Sequence, residues 1–228
     1  MHSPISIPPQ AMALLMVDFQ EEHRKDERFL AHDFDAAVVN GAALLAAARK
    51  SGVLVIHGQY VRDFAKVPAR PFEVVGPNGE PAFSDSAATH FVALCAEVAP
   101  EPGELVFVKN DASCFAATDL LDHLKSRCIE WLVVAGAWTE ACVAATVRDA
   151  MAAGLRVLLV KDACASGTAL MHRTAILNLA NRLLGGAVCD TARAAAIIDG
   201  GEARIWRHTQ MVPFRYTPDN LASLYEDL

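Results

Sequence analysis

The chain contains no Cys-x-x-Cys pair, no long apolar run and no excess of positive charge. Its six cysteines (Cys95, Cys114, Cys128, Cys142, Cys164 and Cys189) lie 14 to 25 residues apart. That spacing excludes the dense disulfide framework of a small secreted domain and points to reduced thiols in a cytoplasm. The first apolar run, A-M-A-L-L-M-V at 11–17, has no basic region before it and ends at Asp18, so it is neither a signal peptide nor a membrane span. With 27 acidic against 20 basic residues the net charge is −7, which excludes the basic footprint of a nucleic-acid-binding surface. A hydrophobic fraction of 53% against 21% charged residues excludes disorder. The expectation is a cytoplasmic protein that binds neither nucleic acid nor a membrane. At 228 residues it reads as a single domain over 1–228, with 203–228 as a C-terminal extension.

What the chain does have is a regular alternation of elements. Apolar runs recur at 11–17, 53–58 (VLVIHG), 104–109 (ELVFVK), 129–136 (IEWLVVAG), 155–161 (LRVLLVK) and, more weakly, 187–191 (AVCDT). They are too uniformly apolar for half-exposed strands, so the expectation is strands covered on both faces. Helical segments lie between them at 35–50, 117–127, 139–154, 168–184 and 192–198. Asp33 is the expected N-cap of the first, with a stop at Arg49-Lys50-Ser51-Gly52, and Thr118 is the expected cap of the second. Strand, helix, strand in repetition predicts a three-layer α/β fold. The stretch 59–102 is rich in Pro and Gly, and an irregular segment of that length is more often a binding loop than a linker.

Ligands bind an open parallel sheet at the carboxyl ends of its strands. Asp18 ends the first strand, Lys109 ends the third, and Cys142 follows the fourth in G-A-W-T-E-A-C-V (136–143). Taken alone, each has an ordinary reading: a cap, a solvated lysine, a small buried thiol. Together they supply the parts of acyl transfer. A thiol at a helix N-terminus near an ammonium group is expected to ionise at lowered pH, Asp18 can take its proton, and backbone N–H groups entering the helix can receive an oxyanion. V-D-F-Q-E-E-H after the first strand holds no glycine, which sets aside a dinucleotide-binding enzyme.

Four stretches carry a more specific likeness: L-L-M-V-D-F-Q, K-N-D-A-S-C-F-A-A-T-D-L, G-A-W-T-E-A-C-V-A-A-T-V-R-D-A and V-K-D-A-C-A-S with His172 beyond it. From about 11 to 200 the chain resembles the isochorismatase-like cysteine hydrolases, in particular amidohydrolases acting on N-carbamoylsarcosine, ureidoacrylate or biuret. The resemblance implies a three-layer α/β/α sandwich around a six-stranded parallel sheet of order 3-2-1-4-5-6. It also implies a Cys142, Asp18, Lys109 triad, a cis peptide joining Ala137 to Trp138, and an oxyanion site made of the Trp138 and Cys142 N–H groups. Homo-oligomers, dimers or tetramers, are expected on the same ground.

Departures from the family sharpen the expectation. Nicotinamidases carry a metal site with an Asp-x-His pair, and no such pair occurs in this chain; no metal and no cofactor are expected. Isochorismatases that cleave a vinyl ether lack the cysteine that stands at 142. The sequence therefore favours a metal-independent amidohydrolase for a small amide, carbamoyl or ureido compound, with vinyl-ether hydrolysis or a non-catalytic binding protein as the alternatives. Phe19, Gln59, Tyr60 and Trp138 are candidate substrate contacts, Phe19 and Tyr60 being equally readable as packing residues. Arg62 and Arg70 are readable either as carboxylate contacts or as solvated loop residues.

Overall fold

The computed structural model describes residues 2–116, 118–209 and 214–228. Eight strands form one sheet: β1 (His2–Ile5), β2 (Met12–Val17), β3 (Leu54–Tyr60), β4 (Leu105–Lys109), β5 (Trp131–Ala137), β6 (Arg156–Ala165), β7 (Ala187–Cys189) and β8 (Ala203–Arg207), in the order β1-β8-β7-β6-β5-β2-β3-β4. Around it lie α1 (Glu22–Lys25), α2 (Phe34–Ser51), α3 (Thr89–Val92), α4 (Leu120–Ser126), α5 (Ala144–Ala152), α6 (Ala169–Ala180), α7 (Thr191–Ile198) and α8 (Leu221–Glu226).

β2 and β5 are buried along their whole length, as central strands must be when helices cover both faces. Alternation along β2 divides the core. Met12, Leu14 and Met16 pack with Leu44, Leu45 and Ala48 of α2 and with Ile197 and Ile198 of α7. Ala13, Leu15 and Val17 pack on the other face with Leu120 and Leu124 of α4, Val147 of α5 and Ile176 of α6. This is the three-layer arrangement.

The six strands β4-β3-β2-β5-β6-β7 are parallel, and in chain order they give 3-2-1-4-5-6. The expected count of six is corrected to eight: β8 joins β7 antiparallel, and β1 joins β8 antiparallel at that edge. Both strands are short and partly exposed, and β1 meets β8 from some two hundred residues away, so no local pattern announces that pairing. The tail is thus partly sheet and partly the helix α8, with Leu221 and Leu228 buried.

Helix starts also need correction. Asp33 precedes α2 but sits at φ 56° and makes no capping bond with its side chain; its carboxylate lies 3.0 Å from His32 Nδ1 instead. Thr118 Oγ1 accepts from Leu120 N–H at 3.3 Å, one residue ahead of the cap position at Asp119. Thr168 and Asp190 do cap α6 and α7, accepting from Met171 and Arg193 N–H.

Gly136 shows how tightly β5 approaches β2. It sits at φ 139°, and a Cβ there would fall 1.9 Å from the Val17 carbonyl oxygen, a contact no side chain can make without moving backbone. Gly136→Ala is therefore expected to lose about 3 kcal/mol or more of stability, or to fail to fold, as read by urea unfolding. A loss below about 1 kcal/mol would show that the two strands can separate at this point.

Candidate active site

The strand order reverses at β2, which has β3 on one side and β5 on the other. Chains leaving these strands diverge and open a crevice at their carboxyl ends. Asp18, directly after β2, takes φ 51°, a left-handed conformation that Asp tolerates at a cost of about 1 kcal/mol. Its N–H donates to Gly58 O at 3.0 Å, and its own carbonyl accepts from Gln20 N–H at 2.8 Å. The Gln20 side chain then clasps β3 by donating to Tyr60 O at 3.0 Å and accepting from Tyr60 N–H at 2.8 Å.

Lys109, the last residue of β4, reaches back past β3, and its Nζ donates to Asp18 Oδ2 at 2.7 Å. Both residues are 2% exposed. The ammonium also donates to Asp111 O at 3.1 Å and stands 4.8 Å above the Tyr60 ring. Burial works to lower the Lys109 pKa, but the negative charge of Asp18 and the hydrogen bond to it outweigh that and the value rises, so the group stays cationic. Asp18 Oδ1, by contrast, is buried and has no hydrogen-bond partner among the described residues.

Cys142 lies beside this carboxylate. The segment Thr139–Val143 is a single π-type turn leading into α5, rather than the first turn of a regular helix over 139–154. The peptide between Ala137 and Trp138 is cis. The expectation of a lowered thiol pKa is corrected: burial raises it well above the ordinary value, Asp18 raises it further, and Lys109 offsets only part. The resting group is a neutral thiol facing a carboxylate oxygen that lacks a partner.

Thr139 Oγ1 donates to Ala165 O at 2.9 Å, and His172 Nδ1 lies 2.9 Å from the same oxygen. The hydroxyl has one proton and has given it to Ala165, so Nδ1–H must be the donor to Thr139. His172 Nε2 is then the acceptor for Tyr225 O–H, 2.9 Å away. A residue of α8 thereby steadies the turn that presents Cys142. No local sequence signal pairs His172 with Tyr225, which stands in the C-terminal extension 203–228.

A cavity of about 690 Å³ opens above these groups. Asp18, Tyr60, Trp138 and Cys142 line it, together with His23 and Phe29 of the segment after β2 and with residues of the loop 62–84. Trp138 Nε1–H donates to His23 Nδ1 at 3.1 Å, and burial holds His23 below its usual pKa, in keeping with an acceptor nitrogen. Two candidate contacts lie off this wall. Phe19 is 1% exposed and packs in the core, its ring 6.1 Å from that of Phe34. Gln59 turns away and donates to Val92 O at 2.8 Å. Arg62 and Arg70 line the cavity but are engaged, Arg62 by two bonds to Glu73 at 2.6 and 2.8 Å and Arg70 by Asp111 at 3.1 Å. Among the described residues no group of three or more His, Cys, Asp or Glu is placed to hold a metal ion, and His57 is taken up by Glu104 at 2.9 Å.

The Isochorismatase domain family model matches residues 12–193, four-fifths of the chain and every element that builds this crevice. The chain belongs to the isochorismatase family. It is 34% identical over 164 residues to a maleamate amidohydrolase of Pseudomonas putida, covering 66% of this chain and 70% of that one. A streptothricin hydrolase of Streptomyces noursei is 32% identical over 212 residues, 90% of this chain and 72% of the relative. Among solved structures, a cysteine hydrolase from Pseudomonas syringae superposes with a TM-score of 0.74 at 22% identity, over 86% of this chain and 95% of that one, a likeness of fold. No helix among the described residues is long and apolar enough to cross a membrane.

The hydrogen-bonded chain has a measurable signature. Burial, aided by nearby positive charge, lowers His172 to about 4. The unfolded chain binds a proton there below about pH 6.5 that the folded chain refuses until about pH 4, so stability is full above 6.5 and is lost as pH falls through that window. The expected contribution is at most about 3 kcal/mol. Urea unfolding at pH 7.5 and 4.5 should show a smaller pH difference for His172→Asn than for the parent protein; equal differences would exclude a neutral buried imidazole.

Proposed function

We propose that the chain is a thiol-dependent hydrolase that cleaves a carbon–nitrogen bond of an amide, carbamoyl or ureido compound through a thioester on Cys142. The observation that carries this reading is the Asp18 carboxylate, tied through one oxygen to Lys109 and left without a partner on the other, beside the Cys142 thiol at the cavity floor. A buried acceptor left unpaired costs about 1 to 3 kcal/mol, a cost that a site retains when the acceptor has a proton to take.

In this reading Asp18 removes the thiol proton as Sγ attacks the substrate carbonyl carbon. The raised thiol pKa makes that base necessary, because little thiolate exists at rest. The Trp138 and Cys142 N–H groups hold the oxyanion, and Lys109 keeps the carboxylate oriented and ionised between transfers. Collapse of the tetrahedral adduct breaks the C–N bond, Asp18 returns the proton to the departing nitrogen, and ammonia or an amine leaves. Water, deprotonated by the same carboxylate, then hydrolyses the thioester and restores the thiol. The maleamate amidohydrolase at 34% identity supports this class of reaction, and the streptothricin hydrolase at 32% supports hydrolysis.

Cys142→Ala is expected to cut ammonia release at least ~10³-fold with an unchanged circular dichroism spectrum; turnover near the parent rate would sink the mechanism. Asp18→Asn separates the base from the charge. It should abolish turnover while moving the Cys142 titration, followed by thiolate absorbance, to lower pH, because the carboxylate that raises the thiol is gone and Lys109 remains. A midpoint that stays in place or rises would show that Asp18 does not act on the thiol.

A further inference from the structure

The cavity is larger and more aromatic than a small polar amide requires. Its volume of about 690 Å³ falls within the roughly 300–1,000 Å³ of pockets that enclose drug-sized ligands. Six aromatic side chains line it: Phe29, Tyr60, Phe64, Phe72, Phe83 and Trp138. The Tyr60 and Phe83 rings stack nearly parallel, 5.4 Å apart at 9°, and Phe29 leans on Phe83 at 5.6 Å. Because Lys109 Nζ stands over Tyr60, this apolar wall begins at the Asp18–Lys109 pair itself. Further out it continues into side chains that water reaches, with Phe72 75% and Val74 76% exposed, apolar surface that a ligand would cover.

The charges on the wall argue against an anionic substrate. Asp18, Glu22, Glu73 and Asp111 line the cavity against Arg62 and Arg70. Adding Lys109 behind Asp18 still leaves four formal negative charges to three positive. Both arginines are already matched, by Glu73 and by Asp111, and Glu22 receives Ser84 N–H and Oγ–H at 2.7 and 2.6 Å. Arg62 retains one nitrogen, Nη1, with no hydrogen-bond partner among the described residues. With its charge balanced by Glu73 it offers a hydrogen bond to a neutral acceptor more readily than an ion pair to a carboxylate.

We infer that the site takes uncharged amides whose acyl group carries a flat apolar ring, an aryl or arylalkyl amide, and disfavours amides that bear a carboxylate. The inference rests on the hydrolase reading above and deepens it. The bond broken and the thioester formed are those already described; the ring lies against the Tyr60 and Phe83 wall.

Three matched amides test it: propionamide, 3-phenylpropionamide, which adds a phenyl ring, and succinamate, which puts a carboxylate in its place. The expected kcat/KM for ammonia release is about 30-fold higher for 3-phenylpropionamide than for propionamide, from burial of one ring, and no higher for succinamate than for propionamide. Phe83→Ala should shrink the phenyl advantage severalfold. Binding of the same compounds to Cys142→Ala protein, measured calorimetrically, separates the two readings. Preferred binding of 3-phenylpropionamide without turnover by the parent enzyme would refute the hydrolase reading and leave the ligand class standing. Turnover that favours succinamate, or that gains nothing from the ring, would overturn the ligand class and leave the hydrolase standing. Absence of both binding and turnover of 3-phenylpropionamide would also overturn the ligand class.

Discussion

Lys109 and Asp18 are both withdrawn from water, and neither could be so as a lone charge. Placing one ion in a protein interior costs several kcal/mol, which the partner at 2.7 Å must offset. The pair therefore fixes the relation of β2 to β4 across the intervening β3, since either end drifting away would strand a buried charge. It also sets the chemistry beside it. One carboxylate oxygen is committed to the ammonium, so the other is the one left toward Cys142, and the thiol meets a carboxylate whose orientation is already decided. Burial, and after it the negative charge of Asp18, keeps the thiol protonated at rest.

The sheet order brings these residues together, and backbone detail sets their spacing. β5 runs beside β2, and Gly136 lets it approach to a distance that excludes any Cβ. Trp138 and the π-type turn follow at once, so Cys142 is delivered to the side of Asp18 away from β4. Behind the turn, Thr139, His172 and Tyr225 form a chain in which every proton has one possible place. A helix from the last residues of the protein thus stiffens a segment at the centre of the sheet.

Much of this was legible in the sequence, for reasons that differ by residue. The six parallel strands announced themselves because strands buried on both faces are uninterrupted apolar runs. Asp18, Lys109 and Cys142 stood out because each ends or follows such a run, and the sheet order puts those ends in one crevice. The substrate contacts were less legible because neighbours at a strand end point to opposite sides. Tyr60 faces the cavity and Gln59 cannot; Asp18 faces it and Phe19 is turned to the core. The thiol was misjudged because the sequence displays charges but not desolvation, the largest influence on it. The pairing of β1 with β8, and the Tyr225 contact with His172, depend on meetings between distant residues that no local pattern encodes.

The cover of the cavity follows a different logic from the core. The loop 62–84 leaves Phe72, Val74 and Val75 exposed, so apolar burial supplies little of its order. Its course is set instead by directional bonds. Arg62 holds Glu73 in a double hydrogen bond, Arg62 N–H donates to Ser84 O, and Ser84 is anchored to Glu22 of α1. Arg62 is 2% exposed, so removing Glu73 alone would leave a buried guanidinium without its counter-charge, a change worth about 3 to 5 kcal/mol against the ordered loop. Charge pairing therefore serves two ends in this protein: at Asp18 it orients a buried carboxylate, and at Arg62 it holds an aromatic cover whose own apolar packing is confined to contacts such as Phe83 on Tyr60 and Phe29. Because the pairs holding the cover are internally matched, the cavity they enclose can be ringed by ionic groups and still present mainly aromatic surface to what enters.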